Sequence, residues 1–283
     1  MTKLPNNNLP QWTAEEISSR HGMSLAIYQK SRLGARHIAE TRQAGITRVE
    51  LLVHRNHFDS HDHGQVTEVV DECEKQGIDI VAVHGLIPLP YSSEDEEDRK
   101  IVMEESLSAI RLAEEVGVPI YVGHFSARKH SKRTVTELLD QTDESGIKLT
   151  MENMSGLSGY IAFVDAIGSD RFGMTVDIGH VRDGDGINPL TQKDKARQAL
   201  AEGGHRIFHV HLHDSIDVKE KPDHMPPLFE GGMIEWGEIF AALKDIDYKG
   251  AFVFEDGRGV MIEEWLRLVP AFPKEFVRRY GCA

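Results

Sequence analysis

Eight short apolar runs, rich in Val and Ile and separated by longer stretches of helical period, are what most restricts how this chain can fold. They read as strands at Met23–Tyr28, Thr47–Val53, Ile78–His84, Pro119–Phe125, Lys148–Met154, Gly173–Ile178, Arg206–Leu212 and Ala251–Phe254. Helical patterns fall at about residues 33–44, 65–76, 99–116, 134–144, 191–202, 236–245 and 261–272, the first two closed by Gly45 and Gly77. Eight strands, most of them followed by helical sequence, is the count for an α/β fold of the (β/α)8 TIM barrel type. Such a barrel needs roughly 250 residues, so a chain of 283 suits a single domain. A doubly wound open sheet would carry a glycine-rich phosphate loop after its first strand, and no G-x-G-x-x-G or Walker pattern follows Tyr28. Residues 1–20, polar and with Asn6-Asn7-Asn8, read as a loose N-terminal extension, and residues 21–283 as the barrel.

Charge and cysteine usage narrow the partners. The formal net charge is −14, whereas a protein that grips nucleic acid must neutralise phosphates with Lys and Arg, so nucleic acid is not expected. Cys73 and Cys282 lie too far apart for a disulfide framework or a zinc knuckle. No apolar run reaches the roughly 18 residues of a membrane helix, and the first twelve residues lack an apolar signal core. A cytoplasmic setting with no membrane partner is the expectation.

Chemistry in such barrels gathers at the C-terminal ends of the strands. Those ends carry His54, His84, His124, Glu152, Asp177 with His180, His211 with His213, and Glu255. Carboxylates and imidazoles brought together without cationic partners repel or strand one another, and neither Lys nor Arg occupies these positions. A divalent metal is the natural counter-charge. Mixed nitrogen and oxygen ligands without thiolate suit Zn²⁺, Mn²⁺ or Fe²⁺, and Zn²⁺ or Mn²⁺ is the expected cofactor.

The motifs Met151-Glu152-Asn153-Met154-Ser155-Gly156, Asp177-Ile178-Gly179-His180 and His211-Leu212-His213-Asp214-Ser215 lie in that order along the chain. Asp223-His224-Met225-Pro226-Pro227 then leads into Glu230-Gly231-Gly232, and Phe254-Glu255 ends the series. As a set, over residues 23 to 270, this resembles the xylose-isomerase-like barrel superfamily, which includes sugar isomerases and epimerases and the endonuclease IV family. The resemblance implies a metal bound by Glu152, Asp177, His211 and Glu255, with Glu152 and Glu255 doubling as acid and base. It also implies that His180, Asp223 and His224 touch substrate or a further metal. In endonuclease IV-like members His84 and His124 would join Glu152 around another ion. His54 and His213 remain as substrate contacts at the rim, with Asp214 beside His213.

A metal that polarises a carbonyl, with two carboxylates to move a proton, is the equipment of a sugar or sugar-phosphate isomerase or epimerase. The ketose 3-epimerases carry a second glutamate six residues beyond the first, where this chain has Ser158. They also carry an arginine soon after the strand-seven histidine, whereas this chain has none between Arg206 and Arg258. The resemblance therefore points to the broader class. The alternatives on the same site are an endonuclease IV-like phosphodiesterase and a lyase or dehydratase, and the acidic run Ser93–Asp98 near the mouth opposes a phosphate backbone. That run, and the basic cluster Arg128–Arg133, otherwise read as solvated helix starts. His57, His61 and His63 with Asp59 and Asp62 resemble a substrate lid. Glu50, inside strand two, reads as a carboxylate paired in the barrel floor, and His209 as interior filling. Trp236 and Phe240 share a helix face suited to packing on the barrel. The stripe of Trp265, Leu266 and Val269 suits the barrel or a second copy in a homo-oligomer.

Overall fold

Strands of a parallel barrel are covered by helices outside and filled by side chains inside, so they are buried on both faces. The strands of this chain have that character, Phe172–Asp177 being buried at every residue. The computed structural model describes residues 12–217, 224–228, 230–256 and 261–281. Its strands are β1 (His21–Ser24), β2 (Arg48–Leu52), β3 (Asp79–His84), β4 (Ile120–Gly123), β5 (Lys148–Glu152), β6 (Phe172–Asp177), β7 (Ile207–Leu212) and β8 (Phe252–Phe254). All pair in parallel in sequence order, and β8 closes on β1 with Met23 opposite Phe254. The α-helices among the described residues are α1 (Ala14–Ser18), α2 (Ala35–Gln43), α3 (His63–Gln76), α4 (Glu96–Glu115), α5 (Lys129–Gln141), α6 (Leu157–Ile167), α7 (Lys193–Ala201), α8 (Trp236–Asp245) and α9 (Ile262–Tyr280). The molecule is the closed (β/α)8 barrel that the alternating pattern implied.

Four local differences have physical causes. Part of the expected N-terminal extension is folded: Thr13 and Glu16 form a reciprocal capping box on α1. Ahead of it, the Trp12 indole donates to the Phe240 carbonyl at 2.7 Å. The first strand is shorter than its apolar run, because Leu25–Tyr28 turns into a 3₁₀ helix whose cap is Ser24. Helix α6 was not expected from its glycine-bearing start, yet it buries Leu157, Tyr160, Phe163 and Val164 at helical spacing. Helix α9 continues past its expected end through Pro270 and Pro273, held by rings such as Phe276 against Phe240 at 4.6 Å between centroids. The apolar stripe of α9 faces the barrel, with Trp265 and Val269 fully buried, and so do Trp236 and Phe240 of α8.

The acidic and basic runs answer each other. Asp95 caps α4, accepting from the amides of Glu97 and Asp98, while Glu96 pairs with Arg99 and with Arg133 of α5. The histidine-rich loop after β2, expected as a substrate lid, is tied to its neighbours. Asp62 caps α3, His61 pairs with Glu105, and His57 Nδ1 lies 2.8 Å from the Ser31 carbonyl.

Burial, aided by His37 and His54, pushes the His57 imidazole down to about 4. The unfolded chain takes up this proton near pH 6.5, well before the folded protein does. The resulting stability is therefore complete above pH 6.5 and lost as pH falls toward 4, up to roughly 3 kcal/mol. We expect His57→Asn, whose amide can replace Nδ1, to flatten the difference in urea stability across that window. An unchanged slope would contradict the assignment.

Candidate metal centre

Strand ends deliver the site. Glu152 closes β5, Asp177 closes β6, His211 is next to last on β7, and Glu255 follows β8 directly. The β6–β7 register sets Asp177 opposite His211. One nitrogen or carboxylate oxygen from each of the four lies within 4.8 Å of the others, and all four residues are buried. The structure thus brings together the four residues singled out as a metal set.

His211 Nδ1 is 3.0 Å from Glu255 Oε2 and 3.4 Å from Glu152 Oε2, yet it has no hydrogen-bond partner. Asp177 Oδ1 accepts from the amides of Gly179 and His180 and meets His213 Nε2 at 3.0 Å. Its Oδ2 is buried without a hydrogen bond, 3.7 Å from His180 Nδ1. Buried polar atoms left unpaired cost about 1–3 kcal/mol each, so two within one cluster mark a place made for something else. The donor set fits a divalent cation of the zinc or manganese kind.

The carboxylates of this cluster are held ionised. Burial would push the Glu152 carboxyl up, but His124 and His211 outweigh it and hold it well below the usual carboxylate range. Asp177 is held low in the same way by His180 and His213. Burial disfavours charge on His84 and His180, yet neighbouring carboxylates override it and push both up to about 9.

Two further groups flank the four. His84 Nε2 and His124 Nε2 converge on Glu152 Oε2 at 3.2 Å and 3.1 Å. On the other side Asp177, His180 and His224 form a second set of ligand-capable atoms, and His180 Nδ1 lies 3.2 Å from Glu152 Oε1. Asp223, expected beside them, lies outside the described residues. Burial, with His213 adding to it, pushes His224 down to about 4.

Other expected contacts fall elsewhere. His213 is not at an open rim: it is fully buried and braces Asp177. His54 takes no part in these clusters and accepts from the Asn56 amide. Asp214 ties down the loop after β7, accepting from Ser215 N, Ile234 N and the Trp236 indole, while its backbone pairs with Met225. Gly232 has to be glycine here, since a Cβ would clash with the Asp214 carboxylate. Asn153 clamps Asp177 by exchanging bonds with its backbone N and O. Its place beside Glu152 was visible in the sequence, but its role depends on the β5–β6 register.

Asp214→Ala would strand three donors, two of them buried backbone amides, at roughly 1–3 kcal/mol each for those left unpaired. We expect a loss of about 2–4 kcal/mol in urea unfolding, and a change under about 0.5 kcal/mol would refute the tie.

The fold and these residues define a parallel barrel with a buried carboxylate–imidazole cluster at the C-terminal mouth. A family model described as a xylose isomerase-like TIM barrel matches residues 38–270, and the chain belongs to that family. A D-psicose 3-epimerase of Enterocloster bolteae is 30% identical over 166 residues, 54% of this chain. The match spans 50% of that relative's length. Among solved structures, a D-tagatose 3-epimerase-like protein superposes with a TM-score of 0.72 at 21% identity, covering 92% of this chain and 96% of the other. The IolI protein with a bound zinc atom does so at 0.68 and 17%, covering 93% and 98%. At these identities the solved structures speak for the fold.

Proposed function

We propose that this protein is a divalent-metal-dependent epimerase or isomerase of a sugar or sugar phosphate. Glu152, Asp177, His211 and Glu255 would hold the ion, Zn²⁺ or Mn²⁺, and Glu152 and Glu255 would transfer the proton. The observation that carries this is the convergence of four buried ligand atoms, two of them without hydrogen bonds. The sugar 3-epimerase relative supports the class.

A divalent cation there would polarise a substrate carbonyl and its neighbouring hydroxyl, which acidifies the C–H on the hydroxyl-bearing carbon next to the carbonyl. The protein's own groups do the rest. Glu152, held ionised, is ready to accept that proton. Glu255 comes from β8, across the mouth from β5, and is the most open of the four at 7% exposure, so it suits proton return on the other face. Asn153 and His213 fix Asp177, keeping its free oxygen aimed inward. Ser158 at the start of α6 replaces the second glutamate of ketose 3-epimerases, which supports a sugar or sugar-like polyol outside that subgroup. Elimination in place of proton return would make the same site a lyase.

The flanking groups around His84 with His124, and around His180 with His224, favour one second reading, a multi-metal phosphodiesterase like endonuclease IV. The net charge of −14 weighs against it. Metal content separates the two: one equivalent fits the epimerase, and two or three of Zn²⁺ fit the phosphodiesterase.

Metal-loaded protein should bring solvent deuterium into a member of a ketose and sugar-acid panel, stop after dialysis against a chelator, and recover with Mn²⁺ or Zn²⁺. An absence of exchange across the panel with metal bound sinks the proposal. Glu255→Gln should slow that exchange by about 10²–10⁴-fold while metal remains bound; wild-type exchange rates would remove Glu255 from the proton-transfer pair.

A further inference from the structure

Below the proposed ligands the barrel interior holds a buried carboxylate with no part in the chemistry above. Glu50 lies on β2 and is fully buried. Its Oε2 meets His209 Nε2 at 2.9 Å and His211 Nε2 at 3.1 Å, both from β7. The β2–β3 register slips between Val49 and Glu50, and the β6–β7 register slips ahead of Thr175, which pairs with His209. The rings of His209 and His211 stand edge to face, 5.2 Å between centroids. One oxygen is thus gripped from two sides.

The chemistry of imidazole turns this grip into a choice of ligand atom. An ionised carboxylate can only accept, so a hydrogen bond to it requires a proton on Nε2. A neutral His211 with its proton on Nε2 carries its lone pair on Nδ1, the atom that faces Glu152 and Glu255. We propose that Glu50 is a positioning residue that fixes this tautomer and ring orientation of His211, and so presents Nδ1 to a divalent cation. The inference rests on the metal-site reading above and adds the group that prepares one of its ligands. His209 holds the Glu50 oxygen in place from the opposite side. Glu50, His209 and His211 could in geometry hold an ion themselves, but His211 would then surrender both ring protons, and contacts of 2.9–3.1 Å already satisfy Glu50 Oε2 and both Nε2 atoms as hydrogen bonds, leaving Glu50 Oε1 alone without one.

Partners of this kind typically tune metal affinity by 10–100-fold. The test uses full-length protein freed of metal and titrated with Zn²⁺ against a chromophoric chelator. Glu50→Met keeps the approximate length and volume while removing the acceptor, and we expect it to weaken binding of the first equivalent by about 10-fold or more. A merely structural Glu50 would lower the melting temperature of the metal-free protein and leave Zn²⁺ affinity within twofold, which overturns the inference. On the wild type, ¹⁵N-histidine NMR of the Zn²⁺-loaded form should show His211 protonated at Nε2 with a slowly exchanging proton. A proton on Nδ1 overturns the inference even if Glu50→Met fails to fold. Wild-type protein that binds no Zn²⁺ would fail the metal-site reading itself, and the inference with it; intact wild-type binding with an unaffected variant fails the inference alone.

Discussion

Negative charge gathered without lysine or arginine is the constraint on which this molecule turns. Glu152, Asp177 and Glu255 lie in a buried mouth with imidazoles as their near neighbours. Desolvation opposes every one of these charges. The arrangement persists because strand register fixes each group before side-chain preference can act, and because imidazole can carry either a proton or a metal. Asn153, His213 and Glu50 are extensions of the same solution: each spends a hydrogen bond on aiming a site residue.

The architecture was legible because it depends on repetition. A parallel barrel requires near-continuous apolar strands at regular intervals, and that pattern survives any single ambiguous segment. What resisted reading was local. The apolar run Met23–Tyr28 has strand composition along its whole length, yet the Ser24 hydroxyl caps a 3₁₀ turn in the middle of it. Helix α6 hides behind Gly156 and Gly159, and α9 runs through two prolines because ring packing against Phe240 outweighs the missing backbone bonds. Trp12 and Thr13 looked like tail residues, since the partner of the indole, the Phe240 carbonyl, lies 228 positions away.

The site divided along similar lines. Identity and place were legible for Glu152, Asp177, His211 and Glu255, because strand ends in a barrel converge whatever the details. Roles that depend on which way a ring or carboxylate turns were not. His213 and Asp214 look like rim residues in sequence, but one braces a carboxylate and the other is consumed by the Trp236 indole and two amides. Glu50 and His209 could be assigned to the interior from the alternation of β2 and β7. That both histidines of β7 meet the same oxygen depends on how their rings turn across the barrel, which no sequence pattern announces.

The anchoring of the loop after β7 bears on how the molecule comes apart. Trp236 is almost wholly buried and packs on Phe254 and Phe272, and through its indole the Asp214 carboxylate is fastened to that core. Through the backbone pair of Asp214 with Met225, the described residues next to His224 are tied to that core. Opening free energies usually fall from core to loop, but here the two are joined. Loss of this wall of the mouth should coincide with global unfolding and not precede it.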